Sequence, residues 1–244
     1  MKRMTARICR ILDAILNTVV LIVCILLVLI SGYSLWDNLR IYRNADDPSL
    51  LTYKPAPEVR SGQQEEDWVA LNGQSAWLCI DNSYIDYPVM QGTDNYEYLN
   101  KDPHGDFRIS GSIFLDYRNS PDLLDDYSMI YGHHMEHYAM FGSLDLFTSE
   151  AYFNGHRTGW IATRNGTYGI SLFAVAWGNA LDQTVFNPAN RTIEEILAYI
   201  DENAVINAGY EPGRKIVALS TCTGETELSR LIVFGMITPG ENEQ

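Results

Sequence analysis

Eight short segments rich in β-branched and aromatic residues follow one another along most of the chain, with turn residues between them. Segments of this length and composition are typical of β-strands. They are residues 75–80, 84–90, 111–117, 127–133, 159–164, 167–177, 215–221 and 230–237. This many short strands in one stretch predict a fold that is mostly β with helical additions, built on a closed or nearly closed eight-stranded β-barrel.

One helix is predicted before the seventh of these strands, at residues 192–203. Apolar residues recur there at helical spacing from Ile193 to Ile200. Thr192 and Glu195 form the pattern of a capping box, which satisfies backbone N–H groups at a helix start. A second, less regular helix is predicted at residues 136–146.

The N-terminal part contains an apolar run, residues 18–30, that has no charged residue. Extended to residues 11–33, the segment is long enough to cross a bilayer as a helix. Four basic residues precede it: Lys2, Arg3, Arg7 and Arg10. The positive-inside rule then predicts a single-pass protein of the cell membrane, with a cytoplasmic N-terminus and an extracellular remainder. A cleaved signal peptide is the alternative, but the run is long for one and no clear cleavage site follows it.

The sequence therefore predicts four regions. Residues 1–10 form a cytoplasmic tail and residues 11–33 a transmembrane anchor. Residues 34–62 form a polar, irregular stalk that prolines interrupt, with a short helix around residues 36–42. Residues 63–240 form the barrel domain.

The formal net charge is −14, from 17 Lys and Arg against 31 Asp and Glu. Phosphate backbones are bound by clustered Lys and Arg, so nucleic acid is not an expected partner. The four cysteines, Cys9, Cys24, Cys79 and Cys222, are not spaced as a disulfide framework. A single bridge between Cys79 and Cys222 stays open, although Cys79 is expected to be a core residue.

Cys222 and Arg230 lie at facing ends of two strand-like segments that a short polar loop joins. If these strands pair as an antiparallel hairpin, the two residues meet at one end of the barrel. A guanidinium group beside a thiol favours the nucleophilic thiolate. The same group stabilises the oxyanion of a tetrahedral intermediate.

A proton-transfer group is available in a cluster of three histidines, His133, His134 and His137. His133 directly follows a strand-like stretch and Gly132, so we expect it at the barrel rim, within reach of a cysteine there.

Other interpretations of these residues remain. Cys222 could be a small buried apolar residue in a surface domain that binds a partner without catalysis. Cys222 and His133 could serve a peptide hydrolase with water as the acceptor. The spacing of His133 and His137 would suit zinc on a helix, although no HExxH motif and no evident third ligand accompany it.

Three motifs in this chain resemble those of the sortases: YGHHM at residues 131–135, LSTCT at residues 219–223 and SRLIVFGMI at residues 229–237. The resemblance covers residues 68–237. Residues 85–119 and the helix predicted at residues 192–203 are similar to class B sortases in particular.

This resemblance implies a sortase-type barrel and a membrane-anchored cysteine transpeptidase. Cys222 would be the nucleophile, His133 the general acid and base, and Arg230 the clamp on oxyanion and substrate, with His134 as the alternative histidine. The implied substrate-binding residues are Ser220, Thr221, Asn100 and Tyr131. The implied partners are surface proteins with a C-terminal sorting signal and a cell-wall or pilin amine as the acceptor. No cofactor and no metal are implied.

Overall fold

The computed structural model describes residues 2–45, 47–55, 70–123, 125–189, 191–222 and 228–238. Within these ranges, the side chains of residues 2–9, 38, 40–45 and 222 are not described. The chain divides into two compact units, Met1–Arg43 and Asn44–Gln244.

The first unit consists of one α-helix, α1 (Lys2–Ala45), whose last residues pass the unit boundary. Its stretch Arg10–Asp37 has 28 residues and is the one span, among the described residues, that is long and apolar enough to cross a membrane. At about 1.5 Å per residue it is about 42 Å long, which exceeds the roughly 30 Å of a bilayer's hydrocarbon core. The helix is therefore compatible with a membrane anchor.

The start of the predicted stalk differs from the expectation of irregular chain. The short helix predicted at residues 36–42 is the continuation of α1, which ends at Ala45. No proline or glycine occurs between Gly32 and Pro48, so nothing in the sequence breaks the helix earlier. A 3-10 helix, Pro48–Tyr53, follows, and residues 56–69 lie outside the described part of the chain.

The second unit contains a closed mixed β-barrel of eight strands, as the sequence predicted. Its strands are β1 (Gln74–Ile80), β2 (Asp86–Met90), β3 (Ile113–Leu115), β4 (Tyr127–Gly132), β5 (Thr158–Thr163), β6 (Gly166–Asn179), β8 (Lys215–Cys222) and β9 (Ser229–Thr238). The order β5-β1-β2-β3-β4-β8-β9-β6 closes into a ring because β6 also pairs with β5. The pairs β2–β3 and β4–β8 are parallel.

A ninth described strand, β7 (Ala204–Asn207), pairs with β6 outside this ring and was missed from the sequence. It has only four residues and begins directly after a helix, so neither its length nor a turn separates it in the sequence.

The described part of the barrel unit contains three α-helices: α2 (Glu150–Gly155), α3 (Gln183–Phe186) and α4 (Ile193–Asn203). The helix expected before the Cys222 strand is confirmed as α4, including its capping box between Thr192 and Glu195. Ile196 and Ile200 on one face of α4 are buried in a cluster with residues of β6, β8 and β9.

The second predicted helix, residues 136–146, is instead two 3-10 helices, Glu136–Tyr138 and Phe141–Thr148. His137 and Tyr138 in the first of these helices, and Met140 between the two, have positive φ values, which interrupt α-helical geometry. Phe141 and other apolar side chains of this segment are buried in the barrel core. Packing of this short segment therefore overrides its local preference for an α-helix.

Candidate active site

The strand order brings the ends of three strands together at one edge of the barrel. β4 lies beside β8 in parallel, and their last pair is Gly132 with Thr221. Parallel strands end at the same edge of a sheet, so His133 and Cys222, the next residue on each strand, occupy neighbouring positions. This pairing places His133 at the rim of the barrel, where the sequence predicted it.

The hairpin expected between the last two strands is also present. β8 and β9 are antiparallel, and Cys222 is directly paired with Arg230. Directly opposed residues of an antiparallel pair have Cα atoms about 4.5–5.5 Å apart. The backbone of Cys222 thus lies between the strand that leads to His133 and the strand that carries Arg230. The Cys222 side chain and residues 223–227 are outside the described part.

A pocket of about 360 Å³ opens at this edge. It is lined by five residues that the sequence singled out: His133, Arg230, Ser220, Thr221 and Tyr131. The lining also includes residues from the loop after β2 and from α3, namely Asn95, Tyr96, Leu99, Gln183 and Phe186. The described lining is thus both polar and apolar, a mixture that is typical of ligand sites.

The imidazole of His133 is held in one orientation. The Nε2 atom of the ring lies 2.8 Å from the carbonyl oxygen of Leu99. The backbone of His133 is fixed as well, because its carbonyl oxygen accepts a hydrogen bond from the Phe141 N–H at 3.0 Å. A carbonyl only accepts, so Nε2 must carry the hydrogen. Nδ1 is therefore the ring nitrogen that has no hydrogen when the ring is neutral.

The guanidinium group of Arg230 lines the same pocket and is half-buried. Its Nη1 donates to the carbonyl oxygen of Ser229 at 2.8 Å, which fixes the side chain near the start of β9. A cation so placed can stabilise negative charge that develops at the end of β8.

Ser220 and Thr221 are both almost completely buried, yet both line the pocket. The Ser220 hydroxyl has no hydrogen-bond partner within the described ranges. A buried hydroxyl of this kind can bond to a ligand that enters the pocket. The substrate-binding role of Ser220 stays a prediction.

Sequence reasoning missed a buried ion pair beside the pocket. The Asp116 carboxylate is fully buried and accepts hydrogen bonds from the Arg118 guanidinium at 2.8 and 2.7 Å. It also accepts one from Asn95 Nδ2 at 2.8 Å and one from the Tyr131 hydroxyl at 3.0 Å. A charged pair after a short strand normally indicates a solvated turn, so the sequence carries no signal for this burial.

Burial and this ion pair together shift the pKa values of Asp116 and Tyr131. Burial acts to raise the pKa of Asp116, but the hydrogen bonds from Arg118 and Asn95 and the Arg118 charge outweigh it, and the pKa is lowered. Burial, followed by the charge of Asp116, raises the pKa of Tyr131 far above its usual range. The Tyr131 hydroxyl therefore stays protonated and acts as a donor.

Three other residues named from the sequence lie away from the pocket lining. Asn100 is exposed, directly after the lining residue Leu99. The His134 Nε2 atom is 2.7 Å from an Asp145 carboxylate oxygen, so the alternative histidine is engaged elsewhere. Cys79 is a free, half-buried cysteine on β1, so the bridge to Cys222 that was left open is not formed.

The zinc alternative assumed that His133 and His137 share one face of a helix. His133 directly follows β4, and His137 lies in a single 3-10 turn with a φ of +57°. Within the described ranges, no group of three or more His, Cys, Asp and Glu side chains is placed to hold a metal ion.

Comparison with known proteins gives one consistent family. No family model matches the chain. A sortase B of Listeria monocytogenes is 30% identical over 221 residues, which cover 84% of this chain and 88% of that protein. A sortase B of Staphylococcus aureus is 28% identical over 151 residues, with coverage of 60% and 62%.

Solved structures agree with these relatives. A class B sortase of Streptococcus pyogenes involved in pilus biogenesis has a TM-score of 0.64 and 34% identity, covering 80% of this chain and 99% of that one. A Staphylococcus aureus sortase B–substrate complex has a TM-score of 0.61 and 26% identity, with coverage of 68% and 82%. Identity of 30% across most of both chains, together with the shared barrel, shows that this chain belongs to the class B sortases.

Proposed function

We propose that this protein is a membrane-anchored cysteine transpeptidase that cleaves a C-terminal sorting-signal pentapeptide and transfers the acyl group to a cell-wall or pilin amine. Membership of the class B sortases supports a transpeptidase function. The observation that carries the residue assignment is the strand order β4-β8-β9, which brings His133, Cys222 and Arg230 to adjacent positions beside one pocket.

In the first half-reaction, the Cys222 thiolate attacks the backbone carbonyl carbon of a Thr in the pentapeptide. A C–S bond forms, and Arg230 stabilises the oxyanion. The C–N bond then breaks, and His133 gives a proton to the departing amine. The product is a thioester between the peptide and Cys222.

In the second half-reaction, the acceptor amine attacks the thioester carbonyl and His133 takes up the proton that the amine loses. The C–S bond breaks, which restores the thiolate and leaves a new amide bond. Ser220, Thr221 and Tyr131 would line the peptide groove. Asn100 is exposed next to the lining residue Leu99, so it would contact a part of the substrate that extends beyond the described lining.

We further propose that residues 1–10 are cytoplasmic, residues 11–33 cross the membrane, residues 34–62 form the connection and residues 63–240 form the catalytic domain outside the cell. The exposed apolar stretch of α1 supports the anchor, and the four basic residues before it support the orientation.

Substitution of the nucleophile tests the mechanism directly. With the full chain in detergent and a fluorogenic sorting-peptide library, Cys222→Ala should form no acyl-enzyme by mass spectrometry and release no fluorophore. Adding an amine separates transfer from hydrolysis, because only transfer yields the amine-trapped product. Full turnover by Cys222→Ala would reject the mechanism.

Arg230→Lys tests the role of the guanidinium in the same assay. Lysine keeps the charge but loses the planar fork that binds an oxyanion and a substrate carbonyl together. We expect kcat/KM to fall by about a hundredfold or more, as for other lost oxyanion donors. Near-normal activity would show that charge alone suffices.

A further inference from the structure

We propose that Arg118 is a positioning residue that sets the width of the substrate groove by holding the α3 wall of the pocket against the barrel. The proposal rests on the proposed transpeptidase function, because it concerns the same groove. Arg118 lines the pocket but is placed to bridge its walls, not to react.

One edge of the Arg118 guanidinium faces the barrel side. Its Nε and Nη2 atoms bond to the two carboxylate oxygens of Asp116 at 2.8 and 2.7 Å. The same carboxylate accepts hydrogen bonds from Asn95 and from Tyr131, and both residues line the pocket. Asn95 is fixed at its other end as well, because its Oδ1 accepts the Tyr117 N–H at 3.0 Å.

The other edge of the guanidinium faces the end of α3. Nη1 donates to Asn187 Oδ1 at 2.8 Å, and Nη2 also donates to the Phe186 carbonyl oxygen at 2.8 Å. Phe186 lines the pocket together with Gln183 of the same helix. A single side chain thus joins the loop and strand on one side of the groove to the helix on the other.

The α3 wall depends on contacts with the rest of the barrel unit because it has little stability of its own. Val185 and Phe186 are buried in the core, and Arg191 bonds to the Gln183 and Asn187 carbonyls. α3 has four residues, a single turn, and isolated turns are not stable in water. The Tyr127 hydroxyl also bonds to the Val185 carbonyl at 2.9 Å, from within the core. Among the described hydrogen bonds to α3 and to Asn187 from other parts of the chain, those of Arg118 come from a side chain that lines the pocket.

The ion pair is suited to this task by its burial. The Asp116 side chain is fully buried and that of Arg118 is 23% exposed, so water and salt screen the pair weakly. A planar guanidinium can bond in two directions at once, whereas the ammonium group of lysine acts as a point charge.

The expected consequence concerns binding more than chemistry. If α3, without the Arg118 bonds, occupies its position in the groove wall for only about a tenth of the time, the apparent affinity for the peptide falls about tenfold. The described bonds of His133 and Arg230 go to the Leu99 and Ser229 carbonyls, which are not in α3, so the rate of the bound complex should change little.

Arg118→Lys keeps the interaction on the barrel side and removes the one on the α3 side. Lysine keeps a charge for Asp116 but cannot also reach Phe186 and Asn187. With the full chain in detergent, we expect KM for the cleaved peptide to rise about tenfold while kcat stays within about twofold. Arg157→Lys is the matched control: Arg157 is also half-buried and bonds to a backbone carbonyl, that of Leu172, outside the pocket lining. Its KM should not change.

A second variant and a second readout cover the case in which Arg118→Lys folds poorly. Asn187→Ala removes one bond on the α3 side and should raise KM in the same direction. Backbone hydrogen exchange at residues 185–187 should become about tenfold faster in both variants and stay unchanged in Arg157→Lys.

An unchanged KM in both variants, or unchanged exchange at residues 185–187, would overturn the proposal. A loss of thermal stability with an unchanged KM would show that the pair is only structural. If the unsubstituted chain cleaves no peptide of the library, the proposed function fails, while hydrogen exchange still decides whether Arg118 holds the wall.

Discussion

At the scale of single residues, the surroundings of Cys79 disfavour ionisation of its thiol. Cys79 is half-buried on β1, and burial, followed by the negative charge of Asp86, raises the pKa of its thiol to about 11. At pH 7 such a thiol is ionised to about one part in ten thousand. The sequence interpretation of Cys79 as a core residue is corrected here: Cys79 is half-buried, whereas its neighbours Leu78 and Ile80 are buried in the core.

Alkylation rates should therefore distinguish the two cysteines of the barrel unit. With iodoacetamide at pH 7, we expect Cys222 to react at least about a hundredfold faster than Cys79, because only a thiolate beside a cation reacts readily. The rate at Cys79 should rise about tenfold per pH unit until the pH approaches 11. Mass spectrometry of the separated peptides measures both sites in one sample. Equal rates at pH 7 would mean that Cys222 is not activated.

At the scale of elements, the end of β4 is where close packing positions a functional residue. Gly132, directly before His133, leaves no room for a side chain. A Cβ atom there would lie 2.4 Å from Ile113 Cδ1 and 2.7 Å from Phe141 Cγ. The glycine thus lets the strand end pack tightly against β3 and against the 3-10 helix Phe141–Thr148.

Gly132→Ala should therefore displace the strand end and, with it, His133. We expect kcat/KM for the cleaved peptide to fall by about ten- to a hundredfold, because misplacement of a catalytic group by about 1 Å has effects of this size. Gly155→Ala in α2 is the control, since an added Cβ there meets nothing within 4 Å. Circular dichroism should show that both variants fold. Unchanged activity of Gly132→Ala would show that the strand end tolerates the shift.

At the scale of the whole molecule, the acidic barrel unit and the apolar helix α1 suit different environments. Most of the described apolar side chains between Ile11 and Leu39 are about half exposed or more, which water does not favour but lipid does. The 28-residue span is long enough for a bilayer. The anchor and its orientation are therefore open to a direct test in cells.

Protease protection tests the proposed orientation. In intact cells that express the chain with an N-terminal epitope tag, added protease should digest the barrel unit and leave the tag, which becomes accessible only after permeabilisation. Digestion of the tag in intact cells would show that the orientation is the reverse of the proposed one. A mature chain that lacks the tag would instead support the cleaved signal peptide.

Sequence reasoning succeeded where local physical chemistry decides the structure. The eight barrel strands follow from β-branched and aromatic composition between turns, and α4 follows from its spacing and the Thr192 capping box. Cys222 and Arg230 could be paired in advance because a short loop leaves a hairpin little choice.

The sequence by itself determined the eight barrel strands, α4, the apolar span and the three residues proposed for catalysis. Only the tertiary structure decided how the strands pair and which side chains lie next to one another. The parallel pairing of β4 with β8 connects residues about ninety positions apart, and no local pattern encodes it. The same holds for the ion pair of Asp116 and Arg118, because Arg118 also bonds to Asn187, which lies 69 positions further along the chain. Long-range pairing depends on the shape of the whole core, whereas helices, turns and strand propensities depend on neighbouring residues.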